Sequence, residues 1–114
     1  MSDLHHPKPT KALLDHRQAL APGAEDAFRA FSKAVFAAGA LDPRTKQLIA
    51  VAVAHVTQCP WCIEGHVKAA RREGASSEEI MEAIWVAAEM RAGAAWAHSL
   101  KAVELLDAPK TRDS

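Results

Sequence analysis

The stretch that follows Asp42-Pro43 most constrains how this 114-residue chain can fold. An aspartate can cap the free amides of a helix, and a proline suits the first helical position, so a helix is expected to begin here. The residues from Lys46 to Val56 then run almost wholly apolar. A helix that is apolar on all sides is normally buried on all sides. The pattern therefore predicts a central helix surrounded by other helices or by other subunits.

The composition agrees with a helical core. Hydrophobic residues make up 49% of the chain and aromatic residues only 5%, and much of the apolar content is alanine, which favours packed helices. No strand pattern competes. The expected fold class is therefore all-α, a compact helical bundle. Since a domain of this size removes only about two thirds of its unfolded surface from water, we also expect it to be oligomeric.

Prolines and periodicity divide the chain into three parts. Residues 1–22 carry three prolines and little periodicity, which predicts an extended N-terminal arm with at most a short helical turn near Leu13 and Leu14. Residues 23–108 form the helical domain, and 109–114 form a charged tail. Within the domain we expect helices over Glu25–Ala38, from Asp42 through Val56, from Pro60 to Gly74, from Ser77 to about Arg91, and a last one after Gly93.

Charge and hydropathy exclude several classes of partner. Fourteen basic residues balance fourteen acidic ones, so no overall field attracts nucleic acid or an anionic membrane. The N-terminus lacks the apolar core of a secretory signal, and no apolar run approaches the roughly 20 residues of a membrane span. A cytoplasmic protein is expected, in which two cysteines are more often catalytic, redox-active or metal-bound than structural.

Both cysteines fall in the segment Cys59-Pro60-Trp61-Cys62, and His66 follows one helical turn later. If a helix starts at Pro60, its dipole and free amides favour a thiolate at either cysteine. His66 lies on the same helix face as Cys62 and can relay a proton to or from it. This arrangement suggests that Cys62 attacks an oxidant such as a peroxide and becomes a sulfenic acid, which Cys59 captures as a disulfide.

Two other interpretations of the cysteines stay open at this point. They can be buried thiols that pack as small hydrophobic side chains. Alternatively, Cys59, Cys62, His66 and His55 can form a tetrahedral zinc site, although such sites usually draw a second ligand pair from a distant segment, which is missing here. His55, at the end of the apolar helix, is either a core histidine bonded to a carbonyl or a residue that supports the site.

From about Leu41 to Leu105 the chain resembles the alkylhydroperoxidase D and carboxymuconolactone decarboxylase family. The signature is a Lys-Glu-Leu-Ile-like helix, then Cys-x-x-Cys, then a histidine four residues on. Here it reads Lys46-Gln47-Leu48-Ile49, Cys59-Pro60-Trp61-Cys62 and His66, and Gly74-Ala75-Ser76-Ser77-Glu78-Glu79-Ile80 is similar to the start of the family's next helix.

The resemblance implies a helical bundle that assembles as a homotrimer or homohexamer. It implies a thiol-dependent peroxidase or disulfide oxidoreductase that reduces alkyl hydroperoxides, with Cys62 attacking peroxide, Cys59 resolving and His66 relaying the proton. The expected partner is a lipoyl-type or thioredoxin-like dithiol, with no cofactor and no metal. The alternatives are a lactone enzyme like carboxymuconolactone decarboxylase and a non-enzymatic zinc-binding or redox-sensing module.

One position departs from the family pattern. The family's relay begins with a glutamate twelve residues before the first cysteine, where this chain has Gln47. An amide cannot exchange a proton as a carboxylate does, but it can hold a water molecule or orient His66. Gln47 and His55 are therefore the candidates for the outer part of the relay.

Overall fold

A computed structural model describes residues 6–110 and shows five helices with no strand among those residues. The helices are α1 (Lys11–Leu20), α2 (Pro22–Phe36), α3 (Pro43–Thr57), α4 (Pro60–Arg72) and α5 (Ser77–Asp107). The all-α prediction is confirmed. None of the helices in this part of the chain is long and apolar enough to cross a membrane.

The central helix is α3, which packs chiefly against α4 and α5. Its Val51 is fully buried. The core around it consists of Val51, Ala70, Ala75 and Ile80, with Leu48, Val67 and Ile84 packed against them. The opposite face of α3 is not covered within one chain, since Ile49 and Val53 are about half exposed. The prediction that this helix is buried all round therefore fails for the single chain.

Side-chain caps fix where the helices begin. Asp42 accepts a hydrogen bond from the Thr45 amide at 2.8 Å and caps α3, as its sequence position predicted. Ser76 and Glu79 form a complete capping box at the start of α5. Arg44 binds Glu79 at 2.8 Å, so the first turns of α3 and α5 are also joined to each other.

The sequence predicted an extended N-terminal arm with at most a short helical turn, but much of the arm is a regular helix. Thr10 caps a ten-residue helix, α1, by accepting from the Leu13 amide, and an ion pair joins Lys11 to Asp15 one turn later. Among the described residues of the arm, only 6–10 and Ala21 lie outside a helix, and α1 packs against α2. The prolines misled the prediction because they flank α1 without interrupting it. Residues 1–5 of the arm and 111–114 of the tail lie outside the described residues.

The two helices predicted on either side of Gly93 are one continuous helix, α5. A glycine inside a helix costs only about 1 kcal/mol relative to alanine, and neither a proline nor a capping residue lies beside it. Helix α2 ends before the predicted Ala38, since Phe36 is its last residue. Gly74, by contrast, follows α4 with a φ of 91°, as expected for a glycine that ends a helix.

A single chain is elongated, with extents of 60 × 35 × 34 Å and a radius of gyration of 20.1 Å. A compact domain of this length has a radius of about 13 Å. Two parts of the chain are little buried: every residue from 94 to 107 in the second half of α5 is exposed, and neither α1 nor α2 has a buried residue.

Candidate functional site

The site begins at the turn between α3 and α4. Gln58 adopts a left-handed conformation with a φ of 57°, and its amide donates to the Ala54 carbonyl. The Cys59 amide donates to the same carbonyl at 3.1 Å. This closes α3 within two residues and places Cys59 directly at the N-cap of α4.

Cys59 and Cys62 form a disulfide, with their Cα atoms 5.2 Å apart. The Cys62 amide donates to Cys59 Sγ at 3.2 Å, so the Cys59 sulfur caps α4 in the way that a serine or aspartate oxygen would. After reduction, this amide and the helix dipole would favour a thiolate at Cys59. Both cysteines are half-buried.

His66 projects from the second turn of α4 and binds Gln47 of α3. Its Nδ1 lies 2.7 Å from Gln47 Oε1. An amide oxygen only accepts hydrogen bonds, so Nδ1 carries the proton and donates it. The contact therefore selects the tautomer in which Nε2 keeps its lone pair and can accept a proton.

The His66 ring is also covered on one face. Phe36, the last residue of α2, stacks on it with ring centroids 5.1 Å apart and an interplanar angle of 25°. Burial lowers the pKa of His66 below its ordinary value, because an imidazolium would lose hydration there. His66 is therefore held in its neutral, basic form around neutral pH.

A cavity of about 460 Å³ opens beside His66 and is mostly apolar. The residues that line it are Val35, Phe36, Lys46, Ile49, Ala50, Val53, Ala54, Thr57, Cys62 and His66. Cys62 and His66 thus share one cavity, whereas Cys59 does not line it. An oxidant inside this cavity would reach Cys62 before Cys59.

His55 is not brought to the cavity. Its Nδ1 donates to the Val51 carbonyl at 2.7 Å, the arrangement of a histidine that packs in a helix. Of the two candidates for the outer relay, only Gln47 contacts His66. Within residues 6–110, no group of three or more His, Cys, Asp or Glu side chains is arranged to hold a metal ion.

Trp61, between the two cysteines, contacts the N-terminal segment. Its Nε1–H donates to the Pro7 carbonyl at 2.9 Å, and the His6 ring meets its ring edge-on at 5.1 Å. The non-helical stretch before α1 therefore contacts the start of α4. No sequence pattern predicts this contact.

The family assignment follows from comparison with known proteins. The model of the carboxymuconolactone decarboxylase family matches residues 22–105. The chain belongs to this family. The match spans α2 to α5 and includes both cysteines, Gln47 and His66. It confirms the resemblance that the sequence motifs had indicated.

Three family relatives illustrate the range of similarity. "Uncharacterized protein 4 in cox locus" from Paracoccus denitrificans is 70% identical over 107 residues, which cover 94% of this chain and 96% of the relative. A carboxymuconolactone decarboxylase family protein from Legionella pneumophila, solved in its apo form, is 34% identical with a TM-score of 0.66, covering 69% of this chain and 70% of that one. A protein from Methanobacterium thermoautotrophicum is 34% identical with a TM-score of 0.69, covering 75% and 94% respectively.

Two residues at the site were not identified from the sequence. Phe36 fits the apolar periodicity of α2 and gave no other signal. Lys46 was noted only as part of the family motif, yet it lines the cavity. Its Nζ donates to the end of α2, to the Val35 carbonyl at 2.8 Å and the Ala37 carbonyl at 2.6 Å.

Proposed function

We propose that this protein is a thiol-dependent peroxidase that reduces alkyl hydroperoxides with the Cys59–Cys62 pair. The observation that supports this most directly is that Cys62 and the neutral His66 line the same apolar cavity, while Cys59 is already bonded to Cys62. A thiol, a base and a resolving thiol are the three groups that the reaction needs.

The proposed cycle begins with the reduced protein. His66 Nε2 takes the proton of the Cys62 thiol, and the thiolate attacks the terminal oxygen of the hydroperoxide. The O–O bond breaks, Cys62 becomes a sulfenic acid, and the alkoxide leaves as an alcohol after taking a proton from His66. The Cys59 thiolate, supported by the Cys62 amide, then attacks the sulfenic sulfur and releases hydroxide, which leaves as water once protonated.

A dithiol completes the cycle. It attacks the disulfide and leaves as a disulfide itself, so one hydroperoxide and one dithiol yield an alcohol, water and an oxidised partner. We propose a lipoyl-type or thioredoxin-like partner and a cytoplasmic location, where such dithiols are kept reduced. The cavity lining suits the apolar tail of an alkyl hydroperoxide.

We also propose that the protein works as a homo-oligomer, either a trimer or a hexamer. The accessible surface of one chain is 9213 Å², whereas a compact monomer of this mass exposes about 6,100 Å². The excess is several times the roughly 800 Å² per partner of an ordinary interface.

Peroxide consumption in the presence of a small dithiol tests the proposed function. We expect turnover by the wild-type protein, a loss of at least about 100-fold in Cys62→Ser, and a single turnover or less in Cys59→Ser, since the sulfenic acid would not be resolved. The matched control is His98→Asn, which changes an exposed histidine of α5 that bonds only to its own helix. Full turnover without Cys62 would contradict the proposal.

The same variants separate the alternative functions. Lactone decarboxylation that persists in a Cys59→Ser/Cys62→Ser double variant would identify a lactone enzyme instead. Stoichiometric zinc in protein purified without chelator, lost in the double variant, would identify a metal-binding module. Formation of the disulfide by one equivalent of peroxide supports the peroxidase.

A further inference from the structure

The histidine of the site is held from two directions by residues on two other helices. Gln47 of α3 fixes Nδ1, as described above. Phe36 of α2 covers a ring face. A ring hydrogen-bonded at only one atom could still pivot about that bond, whereas a second contact on its face restricts this rotation. The combination therefore restricts the orientation of the imidazole ring.

Phe36 is in turn held by an unusual anchor at the end of α2. The Lys46 ammonium donates to the carbonyl before Phe36 and to the carbonyl after it, at 2.8 and 2.6 Å. These are carbonyls at the C-terminal end of the helix, where a cation is favourable. Because Lys46 directly precedes Gln47 in α3, one helical turn supplies both the group that binds Nδ1 and the group that anchors Phe36.

We propose that Phe36 is a positioning residue for His66. Lys46 acts through Phe36, by fixing the end of α2 so that the phenyl ring stays on the imidazole. The stack orients Nε2 toward the cavity shared with Cys62 and keeps water off one face of the ring. This inference deepens the proposed function and depends on it only for its kinetic consequences.

The electrostatic surroundings set the direction of the expected effect. In the described chain, the other titratable group that lines the cavity with His66 is Lys46 from α3, because Cys62 from α4 is held in the disulfide. The lining from α2 is apolar, and α5 contributes no lining residue. A phenyl face attracts a cation, but burial is the cause that lowers the pKa of His66, and the phenyl ring covers one face of the imidazole. Removal of the ring should therefore admit water and raise the pKa.

The first measurement is an NMR titration of the imidazole nitrogens in protein labelled at histidine, without any peroxide. His66→Asn identifies the His66 signals. We expect the pKa of His66 to rise toward the ordinary value of about 6.5 in Phe36→Ala, and less so in Phe36→Leu, which keeps apolar bulk. Phe31→Leu is the matched control, because Phe31 lies on the same helix and is 64% exposed. It should leave the titration unchanged.

A double-mutant cycle tests the anchor. Lys46→Met removes the ammonium and keeps the aliphatic stem, with Lys33→Met of α2 as its control. Since loss of a nearby positive charge would itself raise the pKa of His66, the decisive variant is Phe36→Ala/Lys46→Met. If Lys46 acts through Phe36, its substitution raises the pKa of His66 less once the ring is absent, because only the loss of charge then remains. An equal increase with and without the ring would overturn the role of Lys46.

The kinetic measurement is the pH dependence of peroxide consumption. We expect Phe36→Ala to lose roughly tenfold in rate, because the base is no longer oriented, and its acid limb to move to higher pH with the His66 titration. Phe36→Leu serves if the alanine variant does not fold, as judged by circular dichroism. An unchanged titration and an unchanged pH profile in both variants would overturn the inference while leaving the peroxidase intact. A shifted titration in a protein without peroxidase activity would overturn only the proposed function.

Discussion

At the scale of single residues, the properties of the site depend on the contact between His66 and Gln47. The neutral amide of Gln47 accepts a hydrogen bond from Nδ1–H and selects the tautomer, but it adds no negative charge. Burial then lowers the pKa of the imidazole without opposition. The consequence is a base that stays neutral to a lower pH than an ordinary histidine and is weaker than one paired with a carboxylate.

Gln47→Glu tests this reasoning directly. A carboxylate beside Nδ1 favours the imidazolium, so we expect the pKa of His66 to rise above its ordinary value. Neutral His66 is then scarce at low pH. The peroxidase rate at pH 6 should fall roughly threefold to tenfold relative to wild type, while the rate above pH 8 should equal or exceed it, because a stronger base transfers protons more effectively. The rate profile from pH 5 to 9 and the histidine titration measure this.

The matched control is Gln47→Met, which removes the acceptor without adding charge. It should lower the rate at every pH, since the tautomer is no longer selected, and it should not raise the pKa of His66. Identical pH profiles for the two variants would contradict a role for charge at this position.

The same residues show how far sequence reasoning reaches. The thiol pair, His66 and Gln47 were identified because their spacing in the chain and in the family motif is short and regular. The stack of Phe36 on His66 was not identified, because it joins the end of α2 to the middle of α4 across 30 positions of sequence. An apolar residue also gives the same periodic signal whether it packs in a core or against a catalytic ring.

At the scale of the helices, local capping signals were more reliable than breaking signals. Asp42, Ser76 and Pro60 mark helix starts that the structure confirms, because a cap satisfies particular backbone amides. Gly93 was expected to end a helix, yet the helix passes through it. The cap of α1, Thr10, lies between prolines and was missed for that reason.

The cap of α3 leads to a prediction about stability and pH. The Thr45 amide and hydroxyl, which favour the charged carboxylate, hold the pKa of Asp42 below its usual range. A folded-state pKa below the unfolded value means that the carboxylate stabilises the fold above about pH 4 and loses this effect as the pH falls through the folded pKa. We expect Asp42→Ala to lower the Tm at pH 7 by roughly 4–8 °C.

The gap between wild type and Asp42→Ala should narrow on acidification to pH 3. Asp42→Ser is the informative control, because serine keeps a capping oxygen and does not titrate, so its difference from the alanine variant should stay constant between pH 7 and pH 3. Thermal melts followed by circular dichroism at both pH values test this. A constant gap between wild type and Asp42→Ala would show that the charge at Asp42 contributes nothing to stability.

At the scale of the whole molecule, the proposed assembly rests on the large apolar surface that one chain exposes. The second half of α5 illustrates this, since Trp96 is 80% exposed and Leu100 73% exposed. These two side chains lie on one face of the helix, about 40° apart. The second half of α5 carries this apolar stripe and is exposed along its length in the described chain. We therefore expect it to pack against another subunit.

Trp96→Glu distinguishes a subunit contact from a free helix face. In a monomer, substitution of so exposed a residue would change the free energy of unfolding by less than about 0.5 kcal/mol. In an oligomer that buries Trp96, it would place a charge in an apolar interface and remove a large aromatic contact. A loss of several kcal/mol is then expected.

We therefore expect sedimentation equilibrium to give a trimer or hexamer for the wild type and mostly dissociated chains for the Trp96→Glu variant. Lys101→Glu also introduces a glutamate, about 140° around the helix from Trp96, and should keep the wild-type mass. An unchanged assembly in Trp96→Glu would show that this end of α5 lies outside the interface.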